Sequence, residues 1–243
     1  MSVVDLLKKH SSVRNYVNER FSREVVEKLV GAAQMAATSC FRQAYTVMWI
    51  TDEAKREQLG KLSHNETQFA TAGAAFVVCV DFNRLKLASK MNNVEMAPCN
   101  AEDLIAGVAD ATLFAQNLVV AAESEGYGIC YIGGVRDEID KVSEILELPE
   151  LVAPLYGLTI GRPASGAVNP PKQRLPIASV LHENTYSNEG LEGVLVQYDE
   201  DMKALYSARM PGMTWTMKQT RELSKPPRPH VSGFLKSKGF YFE

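Results

Sequence analysis

One segment limits the possible folds of this chain more than any other. Residues 101–125 carry a helical pattern that is apolar on nearly every side. Its wide apolar stripe consists of Leu104, Ile105, Val108, Ala111, Ala115, Leu118, Val119 and Ala122. Leu113 and Phe114 broaden the stripe further. A helix that is apolar almost all round is buried in a core, so the segment predicts a central core helix that Gly126 and Gly128 end.

Apolar runs before and after this segment predict the strands of a sheet. Residues 74–80 form a continuous apolar run, which is typical of a strand buried on both faces. Shorter β-prone runs lie at 46–51, 129–132 and 152–160. Amphipathic or capped segments predict helices at 23–38, 53–62, 137–146, 199–209, 214–223 and 231–238. Together they predict an α+β fold, with a sheet and helices packed around the long central one.

Two regions depart from this pattern. Residues 83–100 are polar and irregular, which predicts a surface loop. Residues 182–243 have fewer apolar runs, so we expect an arm that packs on the main body or on a second subunit. The prediction is one domain over residues 1–243, with 182–243 as its C-terminal arm.

Composition excludes several classes of protein. The net charge of −3 argues against a general nucleic-acid binder, which is normally basic. The four cysteines form no CxxC pair, so neither a zinc ribbon nor a thioredoxin-like site is predicted. The N-terminus lacks the apolar core of a signal peptide, and we expect no stretch that spans a bilayer without interruption. These features favour the reducing cytoplasm and no membrane partner.

Common catalytic motifs are also missing from the sequence. There is no GxGxxG after the first strand, no Walker A loop, no HExxH and no GxSxG. The histidines are scattered, so no metal site is predicted. An enzyme with this sequence would need a cofactor to supply its chemistry.

Two basic clusters, far apart in sequence, suit a phosphate group. Residues 10–14 read HSSVR, which supplies an imidazole, two hydroxyls and the Arg14 guanidinium, a group that pairs with phosphate oxygens. After two stiffening prolines, an extended chain would put Lys172 and Arg174 on the same side. Each cluster alone is more often a solvated turn.

A glycine pair follows the predicted strand 129–132. Gly133 and Gly134 would let backbone N–H groups come close to a flat ligand. A tight turn into the next helix explains the same pair, and without further context it is the better explanation.

In this order along the chain, the motifs resemble the nitroreductase superfamily, in particular its NADPH-dependent flavin reductase and oxygen-insensitive nitroreductase group. The resemblance covers nearly the whole chain. Its motifs are HSSVR at 10–14, SCFRQ at 39–43, DLIAGVADATLFAQNLVVAAESEGYG at 103–128, YIGGVR at 131–136, PKQRLP at 171–176, HEN at 182–184 and VQYDEDMKALY at 196–206.

The resemblance implies an intertwined homodimer with a mostly antiparallel sheet and one non-covalent FMN per subunit at the interface. It implies that the phosphate and ribityl chain meet His10, Ser11, Ser12, Arg14, Lys172 and Arg174. The residues implied along the isoalloxazine ring are Tyr131, Ile132, Gly133 and Gly134. The residues implied to come from the other subunit are Ser39, Cys40, Arg42 and Gln43.

Two contacts stay open within this resemblance. A straight alignment puts Glu66 where the family usually has a glutamine near the flavin, but a carboxylate there would repel the anionic reduced flavin unless it is protonated or turned away. Asn65 or Gln68 is the alternative. Arg209 matches an arginine that contacts the 2′-phosphate of NADPH, and a helix-end cation facing the dipole explains it equally well.

The implied function is hydride transfer from NADPH or NADH through FMN to small planar acceptors, such as nitroaromatics, quinones or free flavin. One shared pocket implies ping-pong kinetics, with no catalytic side chain from the protein. The residues also leave open a flavin-binding storage or sensor protein without turnover, and a non-flavin α+β interaction module.

Overall fold

The computed structural model describes residues 2–207 and 210–241. The chain divides into two compact units, one made of Met1–Pro171 with His230–Glu243 and the other of Lys172–Pro229. The second unit therefore begins before the arm predicted from residue 182, and the last helix of the chain belongs to the first unit.

Along the first unit, each strand is separated from the next by one or two helices. The described helices of the chain are α1 Val3–Lys8, α2 Arg23–Ala33, α3 Glu53–Leu62, α4 Glu66–Thr71, α5 Asn83–Met91, α6 Ala101–Ser124, α7 Ile139–Ile145, α8 Leu191–Asp201, α9 Lys203–Ser207, α10 Trp215–Leu223 and α11 His230–Ser237. The strands are β1 Tyr45–Trp49, β2 Ala74–Asp81, β3 Gly128–Ile132 and β4 Val152–Gly161. Short 3₁₀ turns cover Ser39–Phe41, Gly133–Arg136 and Ile177–Ser179. Helices α8, α9 and α10 lie in the second unit.

The four strands form one sheet in the order β1-β2-β4-β3, and neighbouring strands are antiparallel. Every residue of β2 is buried, which confirms the prediction of a strand covered on both faces. Phe76 and Val78 face one side, whereas Ala75 and Val77 face the other, as the twofold period of a strand requires.

Helices cover both faces of this sheet. Phe114 and Leu118 of α6 and Leu29 of α2 pack in the cluster on one face. On the other face, Leu59 of α3 and Phe69 of α4 pack in a second cluster. The long central helix is thus confirmed as a core element. The segments that contact its ends and its polar residues are held in place by it.

Helix α6 also corrects one expectation from the sequence. It contains a window long and apolar enough to cross a membrane, so the expectation that no stretch meets that criterion was wrong. Core helices meet the same criterion, and the residues of α6 that face the sheet are buried in this unit.

The region predicted as a loop at 83–100 is half helical. Helix α5 covers Asn83–Met91, so the loop prediction was wrong there. The segment is rich in Leu, Lys, Ala, Arg and Met, which favour helix even where polarity hides the pattern. Leu85 packs against a buried cluster that includes Phe82, and Lys86 forms a 2.6 Å ion pair with Glu150.

Helix boundaries in the second unit also differ from the sequence prediction. The helix predicted at 199–209 starts earlier, because α8 begins at Leu191 after Gly190, whose φ of 73° sets the entry turn. A break near Met202 separates it from α9. Helix α10 agrees with the helix predicted at 214–223, and its N-cap is Thr214.

Candidate functional site

The HSSVR segment lies alongside strand β3. Ser12 forms a parallel bridge with Ile129, and the Val13 N–H donates to the Ile129 carbonyl over 2.8 Å. Val13 is buried, and a Cβ added to Gly128 would lie 2.6 Å from the Val13 Cβ. Glycine at 128 therefore allows the segment to approach the strand. The alternative of a solvated turn does not describe this segment.

His10 has a partner that sequence reasoning missed. Its Nδ1 lies 2.6 Å from Oε1 of Glu123, which stands in the last turn of α6 and is largely buried. The pair leaves Nε2 as the ring nitrogen that could meet a ligand. Glu123 also borders, with Ser11, a cavity of about 200 Å³. The sequence held one signal for this pair, because Glu123 is an acidic residue near the apolar stripe of the central helix.

Arg14 is exposed, and its charge acts on strand β3. Burial raises the pKa of the Cys130 thiol, and the Arg14 guanidinium offsets part of that rise. Burial likewise raises the pKa of Tyr16, again with an opposing contribution from Arg14. Arg14 directly follows Val13, whose N–H donates to the Ile129 carbonyl, so the cation lies next to β3.

Tyr131 and the glycine pair stand at the other end of β3. The Tyr131 ring contacts the Tyr156 ring edge-to-face at 5.2 Å, and burial raises the pKa of Tyr131. A Cβ added to Gly134 would collide with the Ser63 carbonyl oxygen. At Gly133 an added Cβ would meet only the end of the Arg136 side chain, at 3.5 Å. The backbone at Gly133 is therefore open to a ligand, whereas that at Gly134 is packed.

Because Ser63 packs against Gly134, the candidate residues that follow Ser63 in the sequence lie near the glycine turn. The Asn65 Nδ2 donates to the Ser63 carbonyl over 2.6 Å, and the Gln68 Nε2 donates to Asn65 Oδ1 over 2.7 Å. Both amides are half-buried, whereas Glu66 is exposed. The two amides thus form a connected pair near the glycine turn.

Residues 38–44, which we call the 38–44 loop, lie at the opposite edge of the sheet. The loop leads into β1, and three strand spacings separate β1 from β3, about 14 Å. Ser39, Cys40, Arg42 and Gln43 are exposed. Within one chain the fold therefore does not bring these residues to the β3 edge.

Lys172 and Arg174 belong to the second unit. Both are exposed, and they border a cavity of about 310 Å³ together with Tyr198 and Trp215. The Tyr198 hydroxyl donates to the Gln173 carbonyl over 2.9 Å, which ties this stretch to α8. Residues 172–174 are therefore not a freely solvated loop. Arg209 lies outside the described residues.

The first unit thus assembles most of the predicted site along one strand. Residues 10–14 lie beside its start, Tyr131 to Gly134 form its end, and Asn65 and Gln68 lie beyond the turn. Within residues 2–207 and 210–241, no group of three or more His, Cys, Asp and Glu is arranged to hold a metal ion. Hydroxyls, cations and open backbone amides are groups that bind an anionic organic ligand.

Models of known protein families match this chain along nearly its whole length. The sequence model of the Nitroreductase family matches residues 7–162, and that of the Nitroreductase family, C-terminal domain, matches residues 172–243. A Cr(VI) reductase from Pseudomonas sp. (strain G-1) is 52% identical over 98% of each chain. An FMN reductase (NADPH) from Bacillus subtilis (strain 168) is 34% identical, again over 98% of each chain.

A solved structure extends the match to the fold. A nitroreductase from B. subtilis superposes with a TM-score of 0.93 at 34% identity, covering 98% of this chain and 99% of that chain. The fold is that of an α+β protein with an antiparallel sheet, and hydroxyls and an arginine lie beside its outer strand β3. The chain belongs to the nitroreductase family. The resemblance seen in the sequence is confirmed, and so is the predicted fold class.

Proposed function

We propose that this chain is an FMN-dependent NAD(P)H oxidoreductase, a nitroreductase or flavin reductase. The observation that carries the proposal is the series of groups along β3, with Ser12 and Arg14 at one end and the open backbone of Gly133 at the other. Relatives that match nearly the whole chain are named FMN reductase (NADPH) and Cr(VI) reductase, which supports the same activity.

The residues present fit FMN at its phosphate end. In this proposal the phosphate and ribityl groups are bound by His10, Ser11, Ser12 and Arg14. The family resemblance implies Lys172 and Arg174 as further phosphate ligands. His10 would use Nε2, because Glu123 contacts Nδ1. A guanidinium, an ammonium and hydroxyls form charge-assisted hydrogen bonds to phosphate oxygens, which are stronger than neutral ones.

The ring end fits a flat ligand. We propose that Tyr131, Ile132, Gly133 and Gly134 lie along the isoalloxazine. The half-buried amides of Asn65 and Gln68 would meet its polar edge, whereas the exposed side chain of Glu66 can stay in solvent and avoid repelling the reduced ring.

When bound, FMN supplies hydride acceptance from NADPH or NADH and electron transfer to a second substrate. The protein needs no acid, base or nucleophile of its own for this chemistry. Its residues bind the phosphate, hold the ring against β3 and keep positive charge near the reduced state. Because one open surface serves both substrates in turn, we expect ping-pong kinetics.

The acceptor and assembly are also proposals. We propose nitroaromatics, quinones and free flavin as acceptors, and the Cr(VI) reductase relative adds chromate as a candidate. Arg209 is proposed to contact NADPH. We further propose a single nitroreductase-like domain over residues 1–243, with 182–243 as its C-terminal arm, in a cytoplasmic homodimer without a nucleic-acid or membrane partner. In that dimer the 38–44 loop would supply Ser39, Cys40, Arg42 and Gln43 to the partner's flavin.

A purified sample tests this proposal. We expect a yellow protein that oxidises NADPH steadily with a quinone present. Double-reciprocal plots of the rate should give parallel lines when the concentrations of NADPH and quinone are both varied. A yellow protein without turnover would identify a storage or sensor protein instead. A colourless protein that takes up no added FMN would overturn the flavin site itself.

A further inference from the structure

One carboxylate is buried inside the apolar central helix. Asp110 of α6 is 1% exposed, and burial of a charge is costly unless hydrogen bonds satisfy it. Its Oδ1 accepts from the Ser39 N–H over 2.7 Å. Its Oδ2 accepts from the Thr38 hydroxyl over 2.6 Å and from the Ala44 N–H over 3.1 Å. All three donors lie in the 38–44 loop, so Asp110 ties both ends of that loop to the core.

Thr38 extends this network across the loop. Its hydroxyl donates to Asp110 and accepts from the Gln43 N–H over 2.8 Å. The Gln43 carbonyl in turn accepts from Arg84 Nη2 over 3.0 Å. The backbone of Gln43 is therefore held at both its donor and its acceptor, although the side chain is exposed.

The loop backbone needs such restraint. Cys40, Phe41 and Gln43 have φ values of 49°, 56° and 53°, in the left-handed region that favours glycine. Residues in this region persist where the surrounding structure over-determines them, and they occur often at ligand sites. Three in one short loop, all with exposed side chains, indicate a surface shaped for contact.

We infer that Asp110 and Thr38 are positioning residues for flavin binding. They hold the 38–44 loop in its strained form, so that Ser39, Arg42 and Gln43 meet the flavin of the partner subunit without first having to order. Arg42 is oriented by a further 3.2 Å ion pair with Asp103 at the start of α6. This inference rests on the proposed function. It assigns a role in flavin binding to Asp110 and Thr38, which do not contact the flavin themselves.

Two replacements of Thr38 separate the effect of its hydroxyl on FMN binding from the effect of its side-chain shape. Thr38→Val keeps the volume but removes both hydrogen bonds, whereas Thr38→Ser keeps the hydroxyl. FMN dissociation constants are measured by quenching of FMN fluorescence, with thermal unfolding as the check on folding. We expect Thr38→Val to weaken FMN binding about tenfold, and Thr38→Ser to stay within about twofold of wild type, because the lost bond is to a charged group.

The outcomes distinguish this inference from the proposed function. Wild-type protein that does not bind FMN overturns both. If wild type binds FMN and Thr38→Val binds it equally well, only the positioning role is overturned. Equal weakening by Thr38→Val and Thr38→Ser overturns it as well, because the hydroxyl would not matter.

A measurement without any variant covers the case in which Thr38→Val does not fold. Amide hydrogen exchange is followed in the wild-type protein with and without FMN. We expect the amides of Ser39, Gln43 and Ala44 to be protected in both forms, since the network rather than the flavin orders the loop. Rapid exchange of these amides in the FMN-free protein would overturn the inference.

Discussion

Residues 10–14 and the 38–44 loop lie at opposite edges of the sheet, and different parts of the chain hold them in place. The first segment is attached by its backbone, through the Ser12 bridge and the bond from the Val13 N–H to Ile129. The second is attached to the side chain of Asp110, and the hydroxyl of Thr38, within the loop, links that carboxylate to the Gln43 N–H. Both are predicted to face flavin. Residues 10–14 are held by backbone bonds to β3 and by the packing of Val13, whereas the backbone of the 38–44 loop depends on the carboxylate of Asp110.

This difference shows how binding and structural roles are divided. Because the backbone anchors residues 10–14, the side chains of Ser11, Ser12 and Arg14 are available for a ligand. In the 38–44 loop, the structure depends on Asp110 and the exposed side chains add contact. Substitution of Ser12 or Arg14 should therefore affect FMN binding alone, whereas substitution of Asp110 or Thr38 should affect folding and binding together.

The largest effect is expected at Asp110. Asp110→Ala leaves three donors without their carboxylate partner, and we expect the free energy of unfolding to fall by about 3 kcal/mol. Denaturant titration measures this change. Glu102→Ala, at an exposed position of the same helix, is the matched control and should change stability by no more than about 0.5 kcal/mol. Equal losses in the two variants would show that the carboxylate of Asp110 does not anchor the 38–44 loop.

Arg14→Ala should act on the ligand and not on the fold. We expect FMN binding to weaken by roughly ten- to a hundredfold, because a charge-assisted contact of about 1.5–3 kcal/mol is lost. Arg23→Ala is the control, since Arg23 is an exposed arginine that pairs with Glu27 on α2. Unchanged FMN occupancy of Arg14→Ala after gel filtration would argue against a phosphate contact.

A direct test of the two anchors compares Ser12→Ala with Thr38→Val. We expect Thr38→Val to lower the free energy of unfolding by about 1 kcal/mol, since its hydroxyl joins two hydrogen bonds. Ser12→Ala should stay within about 0.5 kcal/mol, because its bridge uses the backbone. A greater loss in Ser12→Ala would reverse the assignment of the anchors.

The smallest perturbation is a thiol label on the 38–44 loop. Cys40 is exposed, whereas Cys79, Cys99 and Cys130 are buried. Burial raises the pKa of Cys99 to about 11, so at mildly alkaline pH it stays protonated and unreactive. We expect one thiol per chain to react in the native protein, and more slowly with FMN bound. Labelling at the same rate with and without FMN would place the loop away from the flavin.

Local patterns allowed much of the fold to be predicted. The apolar run of β2, the stripe of α6 and the cap at Ser22 were readable because each depends on neighbours in sequence. Helix α5 was missed because its polarity masked its helix propensity.

The site was harder to predict than the fold. The motifs predicted residues 10–14 and the glycine turn as parts of the site, but not the partners that hold them in place. His10 and Glu123 are 113 positions apart, and Ser39 and Asp110 are 71 apart. Such pairs arise from tertiary packing, which no local pattern encodes. Asp110 and Glu123 gave one weak signal in the sequence, as acidic residues in an apolar helix.

Rapid mixing of the purified protein with NADPH in the absence of oxygen tests the proposed function most directly. We predict that the visible flavin absorbance bleaches after mixing and returns when a quinone is added. A flavin absorbance that NADPH leaves unchanged would contradict the assignment of this chain as an FMN-dependent NAD(P)H oxidoreductase.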